Sequence, residues 1–236
     1  MSAENGTSQL IDVTNINEKV YQLIKQNIIK FIYPPGHNLN ITELKDALGV
    51  SPTPIKDALF KLAGEGLVVI YPRKGTYVKD ITAEDIHEIV QTRLILETAV
   101  VADIASRISD EQLRILDGFY QKGISIKVDR DNVDDYKTYM ECDSDFHLSF
   151  FLFWGNKRLT EIYRHLNAHM QIARYRLMHH TRSKNPWTDQ EHREILTALQ
   201  ERNTARALEA VRKHLVRLEK ACLEAAGSEA PAARIP

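Results

Sequence analysis

Residues 44–62 read LKDALGVSPTPIKDALFKL, and their pattern predicts the fold of the N-terminal part of the chain. The segment Leu44–Leu48 has the length of a short helix, and Gly49 ends it because glycine tolerates the left-handed conformation common at helix C-termini. Ser51 is a good helix cap, and Pro52 suits the first helical position, where its missing N–H group costs nothing. The stretch predicts two helices joined by a tight turn, which is the arrangement of a helix-turn-helix.

The sequence on both sides extends this pattern. Upstream, apolar residues at helical spacing predict a helix over residues 16–31, which Pro34-Pro35-Gly36 ends. Downstream, the β-rich segments Leu67–Tyr71 and Thr76–Lys79 are separated by Pro72-Arg73-Lys74-Gly75, a sequence typical of a hairpin turn. Three helices followed by a two-stranded hairpin predict a winged helix-turn-helix.

The remainder of the chain reads as helical and shows no strand-like alternation. Six residues with cap chemistry mark the predicted helices there: Thr82, Ser109, Asn132, Asn156, Thr188 and Asn203. We therefore expect a mostly α fold, in which a winged helix-turn-helix domain over residues 15–79 precedes an all-α helical-bundle domain over residues 80–226. Residues 1–14 and 227–236 are expected to be disordered tails.

The composition excludes several classes of protein. The 236 residues carry a formal net charge of −1, so nucleic-acid binding must depend on a local basic patch. Two cysteines without close spacing exclude a disulfide scaffold and a cysteine zinc site. The apolar runs are far shorter than the roughly 20 residues that a membrane helix needs, and the N-terminus lacks the features of a signal peptide. We therefore expect a cytoplasmic protein.

Basic side chains concentrate in the N-terminal domain. Residues 1–79 contain nine Lys or Arg and seven Asp or Glu, so this part is positively charged and the remainder is negative. Lys45 and Lys56 lie on the two predicted helices, and Arg73 and Lys74 lie in the hairpin turn. A basic hairpin tip beside a recognition helix suits phosphate contacts, and the pattern favours DNA binding. A helical protein-interaction module with solvated lysines is the alternative.

The run from Pro34-Pro35-Gly36 through Leu48–Leu59 and Glu65–Val68 to Val78 resembles the DNA-binding domain of GntR-family transcriptional regulators. The all-helical remainder is similar to the FCD effector domain of the FadR-type branch of that family. The resemblance covers roughly residues 16–226. It implies DNA binding through these residues: Thr42, Lys45, Ser51, Thr53, Lys56, Arg73, Lys74 and Gly75.

Three positions depart from the family pattern. Pro52 and Lys56 stand where the family usually has arginine on the recognition helix, and Thr42 aligns with an arginine often found on the preceding helix. Arginine offers guanine a planar bidentate fork, whereas lysine is a point charge and the other two residues carry no cation. The resemblance therefore implies DNA binding in general and not a family-typical operator sequence.

In the C-terminal domain, Asp143 and His147 are four residues apart and share a helix face with apolar residues. Two ionisable groups on such a face are costly to bury unless they are paired or coordinated. His192 and His214 also share faces with apolar residues, so three helices direct polar side chains into one bundle interior. The alternative is a set of buried histidines that carboxylates or carbonyls satisfy.

The resemblance to FCD domains implies a metal site, because those domains commonly bind a divalent metal through Asp-x-x-x-His on one helix and a histidine on each of the last two. These positions fall on Asp143, His147, His192 and His214. Three imidazoles and one carboxylate suit Zn²⁺, Ni²⁺, Co²⁺ or Mn²⁺. Four protein ligands could close a tetrahedral structural zinc site, but we favour a metal with open positions for water or a carboxylate effector.

The resemblance also implies a small organic acid or related metabolite as the effector near this metal. Arg93 and Glu97 interrupt an apolar helix face at i, i+4, and Arg93 suits the effector because arginine can bind a carboxylate bidentately. An internal ion pair between the two is an equally weighted alternative. Tyr139, Arg174 and Arg176 are weaker candidates for the wall of the effector cavity.

These features predict a metal-containing transcriptional regulator, a repressor that responds to its effector and binds double-stranded operator DNA as a homodimer. The chain is predicted to be neither an enzyme nor a membrane protein. A helical metalloenzyme is the competing interpretation, although no HExxH or comparable motif is present. The third interpretation is a protein with a structural zinc site whose N-terminal domain binds other proteins.

Overall fold

The computed structural model describes residues 13–128, 133–181 and 186–228. For a few residues near the ends of these segments it describes the backbone only. The described residues form two compact units. The boundary between them follows Lys79, and the short segment Ile29–Phe31 groups with the second unit. The first unit contains α1 (Val13–Ile29), α2 (Ile41–Leu48), α3 (Pro52–Gly64), β1 (Val68–Tyr71) and β2 (Gly75–Val78). The second contains α4 (Ala83–Ile104), α5 (Asp110–Ser125), α6 (Val133–Trp154), α7 (Lys157–Thr181), α8 (Pro186–Gln200) and α9 (Thr204–Ser228). The predicted mostly α fold, with a winged helix-turn-helix before a helical bundle, is confirmed.

The turn between α2 and α3 has the geometry that its sequence predicts. Asn40 caps α2, because its Oδ1 accepts a hydrogen bond from the Thr42 amide at 2.8 Å, and Gly49 ends α2 with φ +65°. Ser51 precedes α3 in an extended conformation but makes no side-chain capping hydrogen bond. A capping oxygen accepts from the second or third helical amide, and the third residue here, Pro54, has no N–H group.

The hairpin that follows α3 forms the predicted wing. Its two strands pair antiparallel, with Val68 opposite Val78 and Tyr71 opposite Gly75. The turn between them is closed by a hydrogen bond of 3.1 Å from the Lys74 amide to the Tyr71 carbonyl. Within this turn the Arg73 backbone has φ +66°, a conformation for which turns normally use glycine.

Helix caps explain most of the boundaries in the second unit. Four predicted caps precede described helices and accept hydrogen bonds from helical amides: Thr82, Ser109, Asn156 and Asn203. The cap predicted at Thr188 is wrong, because α8 begins at Pro186 and Thr188 lies inside its first turn. Proline suits that first turn, and the helix starts three residues earlier than a cap at Thr188 would place it. Asn132 lies outside the described residues.

The ends of the described chain differ slightly from the predicted tails. Helix α1 begins at Val13 and α9 ends at Ser228, so each helix extends two residues into a segment predicted as a tail. Helix ends fray, and their bounds vary by one or two residues between criteria. The rest of both predicted tails lies outside the described residues. None of the described helices contains a stretch of apolar residues that could span a lipid bilayer.

The core of the second unit positions the candidate site. Helix α6 contributes Phe146, Phe150 and Phe151, each at most 1% exposed. Asp143 and His147 share a face of this helix; Asp143 lies three residues before Phe146, and His147 lies three and four residues before Phe150 and Phe151. The sequence thus places two ionisable side chains inside an aromatic core.

Candidate metal centre

Four side chains from three helices converge in the core of the second unit. Asp143 and His147 come from α6, His192 from α8 and His214 from α9, and each residue is at most 5% exposed. One candidate ligand atom from each lies within 4.8 Å of those of the other three. The structure therefore brings together all four side chains that the sequence proposed as metal ligands.

Each of the three imidazole rings points its Nε2 atom toward the other two rings. His147 Nε2 lies 3.1 Å from His214 Nε2 and 3.3 Å from His192 Nε2. Asp143 Oδ1 lies 3.3 Å from His192 Nε2. Two atoms bound to one metal at about 2.1 Å are roughly 3.0–3.4 Å apart, so these separations fit a single shared cation.

Carboxylates on the far side of two rings determine which nitrogen carries the proton. Glu97 Oε2 lies 2.7 Å from His147 Nδ1, and Glu191 Oε2 lies 3.1 Å from His214 Nδ1. Since an ionised carboxylate only accepts hydrogen bonds, each Nδ1–H group donates and each Nε2 keeps its lone pair. The lone pairs point toward one another, an arrangement that a cation between them would stabilise. Such outer carboxylates are usual at metal-binding histidines.

Burial and neighbouring charges set the pKa values of the four side chains so that each is in the protonation state that binds a metal. Burial lowers the pKa of His192 to about 3 and of His214 to about 4, and it lowers the pKa of His147 well below its usual value. Burial alone would raise the pKa of Asp143, but Arg174, which donates to Asp143 Oδ2, holds that pKa below its usual range. Asp143 Oδ1 has no hydrogen-bond partner among the described residues. Three neutral imidazoles and this free carboxylate oxygen could hold a divalent metal.

The predicted effector residues Arg93 and Glu97 form a buried ion pair on α4, with Arg93 Nε 2.7 Å from Glu97 Oε1. Burial raises the pKa of Glu97, and the charge of Arg93 opposes that effect. Because its other oxygen contacts His147, Glu97 supports a candidate ligand. Arg93 Nη2 is buried and has no hydrogen-bond partner within the described part of the chain, so it can donate to a further group.

The other candidate effector residues also contact the surroundings of the site. Arg174 pairs with Asp143, and the Tyr139 hydroxyl donates to Asp189 Oδ1 at 3.2 Å. Both Arg174 and Tyr139 are at most 5% exposed. The Arg176 side chain lies outside the described residues. Arg174 thus acts on a candidate ligand in this structure, and any effector contact by it remains a prediction.

Two buried polar residues beside the site were missed in the sequence. Glu191 lies on α8 and contacts His214 on α9. Tyr163 lies on α7, and its ring centroid is 5.8 Å from the guanidinium carbon of Arg93. Helical spacing gives no signal for a contact between two helices, and Glu191 belongs to an acidic, polar run that reads as a solvated face.

The predicted DNA contacts belong to the first unit, and nearly all are on its surface. Seven of them are exposed: Thr42, Lys45, Ser51, Thr53, Lys56, Arg73 and Lys74. Gly75 is half-buried, with φ +129°, and a Cβ there would lie 3.3 Å from Asn38 Oδ1. Gly75 is therefore required by the backbone of the wing, whereas the cations of this group are accessible to solvent.

Comparisons with known proteins agree with this architecture. The family model described as "FCD domain" matches residues 88–217, and that described as "Bacterial regulatory proteins, gntR family" matches residues 16–78. The HTH-type transcriptional repressor RspR of Escherichia coli is 28% identical over 88% of this chain and 89% of its own length. The Uxu operon regulator of Haemophilus influenzae is 27% identical, over 93% of this chain and 88% of its own.

Solved structures show the same fold. A putative transcriptional regulator GntR from a Rhodococcus species superposes with a TM-score of 0.77 at 23% identity, covering 92% of this chain and 100% of its own. The Escherichia coli protein McbR/YncC has a TM-score of 0.77 at 17% identity, covering 89% of this chain and 97% of its own. The relatives are transcriptional regulators rather than enzymes. The chain belongs to the GntR family of DNA-binding transcriptional regulators and carries an FCD domain C-terminal to its helix-turn-helix domain.

Proposed function

We propose that this regulator is a homodimeric repressor whose operator binding is controlled by a small organic acid bound beside a divalent metal. The observation that carries the proposal is the clustering of three histidine Nε2 atoms and the free Asp143 oxygen within 4.8 Å of one another. Repression is supported by the similarity to RspR, which is named a repressor. A homodimer would present two recognition helices to half-sites about one DNA turn apart.

The metal would be held by the two ligands of α6 together with His192 and His214. When bound, it supplies a positive centre that an effector carboxylate can reach as a further ligand. Glu97 and Glu191 orient two of the imidazole rings, and Arg174 keeps Asp143 ionised. The aromatic core around these groups excludes water, which strengthens every charge interaction inside it.

The charges around the site favour an anionic effector. Each buried carboxylate there has an arginine partner: Asp143 with Arg174, Glu97 with Arg93, and Glu191 with Arg217. Because these pairs cancel and the imidazoles are neutral, a divalent metal would add two uncompensated positive charges to the core. Unpaired buried charge is costly, and an organic acid would neutralise it. Arg93 Nη2 is a buried donor available for that acid. Arg93 is linked to His147 through Glu97, which contacts both side chains.

DNA binding is proposed for the exposed side chains of α3 and of the wing. Ser51 immediately precedes α3, and Thr53 and Lys56 lie in its N-terminal half, the part of a recognition helix that meets base edges in the major groove. Arg73 and Lys74 at the hairpin tip suit phosphate contacts, which position the protein without reading sequence. Since Lys56 is the only cation of these three residues, we expect phosphate contacts to supply most of the affinity.

The Arg73→Gly substitution tests this interface because it separates folding from DNA binding. Arg73 occupies a left-handed conformation that costs a non-glycine residue about 1 kcal/mol or more. Glycine relieves this strain but has more unfolded-state entropy, so we expect the free energy of unfolding to change by less than about 1 kcal/mol. DNA affinity should fall. The negative slope of log affinity against log salt should become shallower by about 1 for each phosphate contact removed.

The measurement is binding of the full chain to a duplex selected from a random-sequence library, between roughly 50 and 200 mM salt. Lys19→Ala is the matched control, because Lys19 is an exposed cation of α1 outside the predicted interface. We expect it to leave both affinity and slope near wild-type values. An unchanged affinity and slope for Arg73→Gly would remove the wing tip from the interface, and salt-independent binding of the wild type would refute the DNA contacts altogether.

A further inference from the structure

Glu191 is a buried carboxylate that joins two helices of the FCD domain. Its Oε2 lies 3.1 Å from Nδ1 of His214, and its Oε1 lies 3.0 Å from Nε of Arg217. Only 4% of the Glu191 side chain is exposed. One carboxylate therefore contacts a candidate metal ligand through one oxygen and forms an ion pair with an arginine through the other, which has no hydrogen bond among the described residues.

The same order of groups occurs at His147, where Arg93 holds Glu97 and Glu97 holds the ring. The two arrangements differ in their access to solvent. The Arg93 side chain is 1% exposed, whereas the Arg217 side chain is 37% exposed. The guanidinium carbon of Arg217 also lies 5.2 Å from the centroid of the Trp187 ring, and Trp187 is 54% exposed. The arrangement at His214 thus runs from the buried centre to the surface.

We propose that Glu191 is a positioning residue for His214, and that Arg217 holds Glu191 in place, so that a partly exposed ion pair sets the metal affinity of the buried centre. The inference rests on the metal site of the proposed function. An imidazole presents Nε2 to a metal in one orientation only while its Nδ1–H group is held, and loss of such an outer partner typically weakens metal binding by about 10- to 100-fold.

Zn²⁺ binding to the full chain, measured by competition with a chelator of known affinity, tests this assignment. Glu191→Gln keeps the size of the side chain but removes its charge, and we expect it to weaken Zn²⁺ binding by about 10-fold or more. Arg217→Gln leaves the carboxylate in place and should weaken binding by a smaller factor. Arg212→Gln is the matched control, because Arg212 is an exposed arginine five residues earlier on α9, and its substitution should leave Zn²⁺ affinity within about twofold of wild type.

Tryptophan fluorescence provides a readout that a purely structural role would not change. In a Trp154→Phe background, Trp187 is the remaining tryptophan of the two in the chain. Zn²⁺ should shift its emission when Glu191 is present, and the shift should be lost in Glu191→Gln at saturating Zn²⁺. Wild-type affinity in Glu191→Gln, or equal losses in the Arg212 and Arg217 variants, would overturn the inference. A wild-type chain that binds no Zn²⁺ would instead refute the metal site itself.

Discussion

Addition of a divalent metal to the metal-free chain is expected to raise its free energy of unfolding by about 4 kcal/mol when free metal reaches roughly 1000 times its dissociation constant. The gain arises because the four ligands meet only in the folded chain. His147 lies at the centre of the ligand set, with Nε2 3.1 Å and 3.3 Å from the other two rings. If His147→Ala weakens metal binding a thousandfold, only about 0.4 kcal/mol of this gain remains at the same metal concentration.

Urea unfolding with and without Zn²⁺, Ni²⁺, Co²⁺ or Mn²⁺ measures this gain in each variant. The difference between the two curves is the quantity compared, because loss of a buried ring also lowers the stability of the metal-free chain. His165→Ala is the control, since His165 is an exposed histidine of α7 outside the ligand group. It should retain the full gain. A His147→Ala variant stabilised as much as wild type would show that the ligands are assigned incorrectly.

Arg174→Met is expected to lower the free energy of unfolding of the metal-free chain by about 3–5 kcal/mol. Arg174 and Asp143 form an ion pair in which the two side chains are 6% and 3% exposed. Methionine fills a similar volume but leaves the Asp143 carboxylate buried without its cation. A bound metal supplies positive charge to the same carboxylate, so the loss should be smaller in the metal-loaded protein.

The control for this substitution is Arg164→Met, on the same helix. Arg164 is 44% exposed and pairs with Glu161 at the surface, where ion pairs contribute little to stability. We expect a change within about 0.5 kcal/mol there. If Arg174→Met left the stability of the metal-free chain unchanged, Arg174 would not be needed to stabilise Asp143, and its predicted role in effector binding would stand alone.

The local features of this fold could be predicted from the sequence because they depend on neighbouring residues. Gly49 ends α2, and the caps at Thr82 and Ser109 begin α4 and α5, since capping involves residues only two or three positions apart. The prediction failed at Thr188 because a nearby proline offered an alternative start. At Ser51 the capping position was correct, but Pro54 lacks one of the two amides from which a cap can accept a hydrogen bond.

The candidate site could be predicted only in part. The i, i+4 spacing of Asp143 and His147 is a property of a single helix, and their apolar neighbours indicated burial. The partners of these ligands come from other helices: Arg174 from α7 and Glu97 from α4. Such contacts depend on how helices pack, and helical periodicity carries no information about the register between two of them. This is why the sequence predicted Glu97 either at the effector or in an ion pair with Arg93, and gave no indication of its contact with His147.

The proposed control of DNA binding by the buried metal centre is tested by the DNA affinity of the metal-loaded chain, measured with a library-selected duplex in the presence and absence of a panel of small carboxylates. We predict that one carboxylate changes the wild-type affinity by about 5- to 150-fold, the usual range of coupling between two sites, and that His192→Ala shows no such response. An affinity that is the same with metal loaded or removed and with every carboxylate, or an equal response in His192→Ala, would contradict the account.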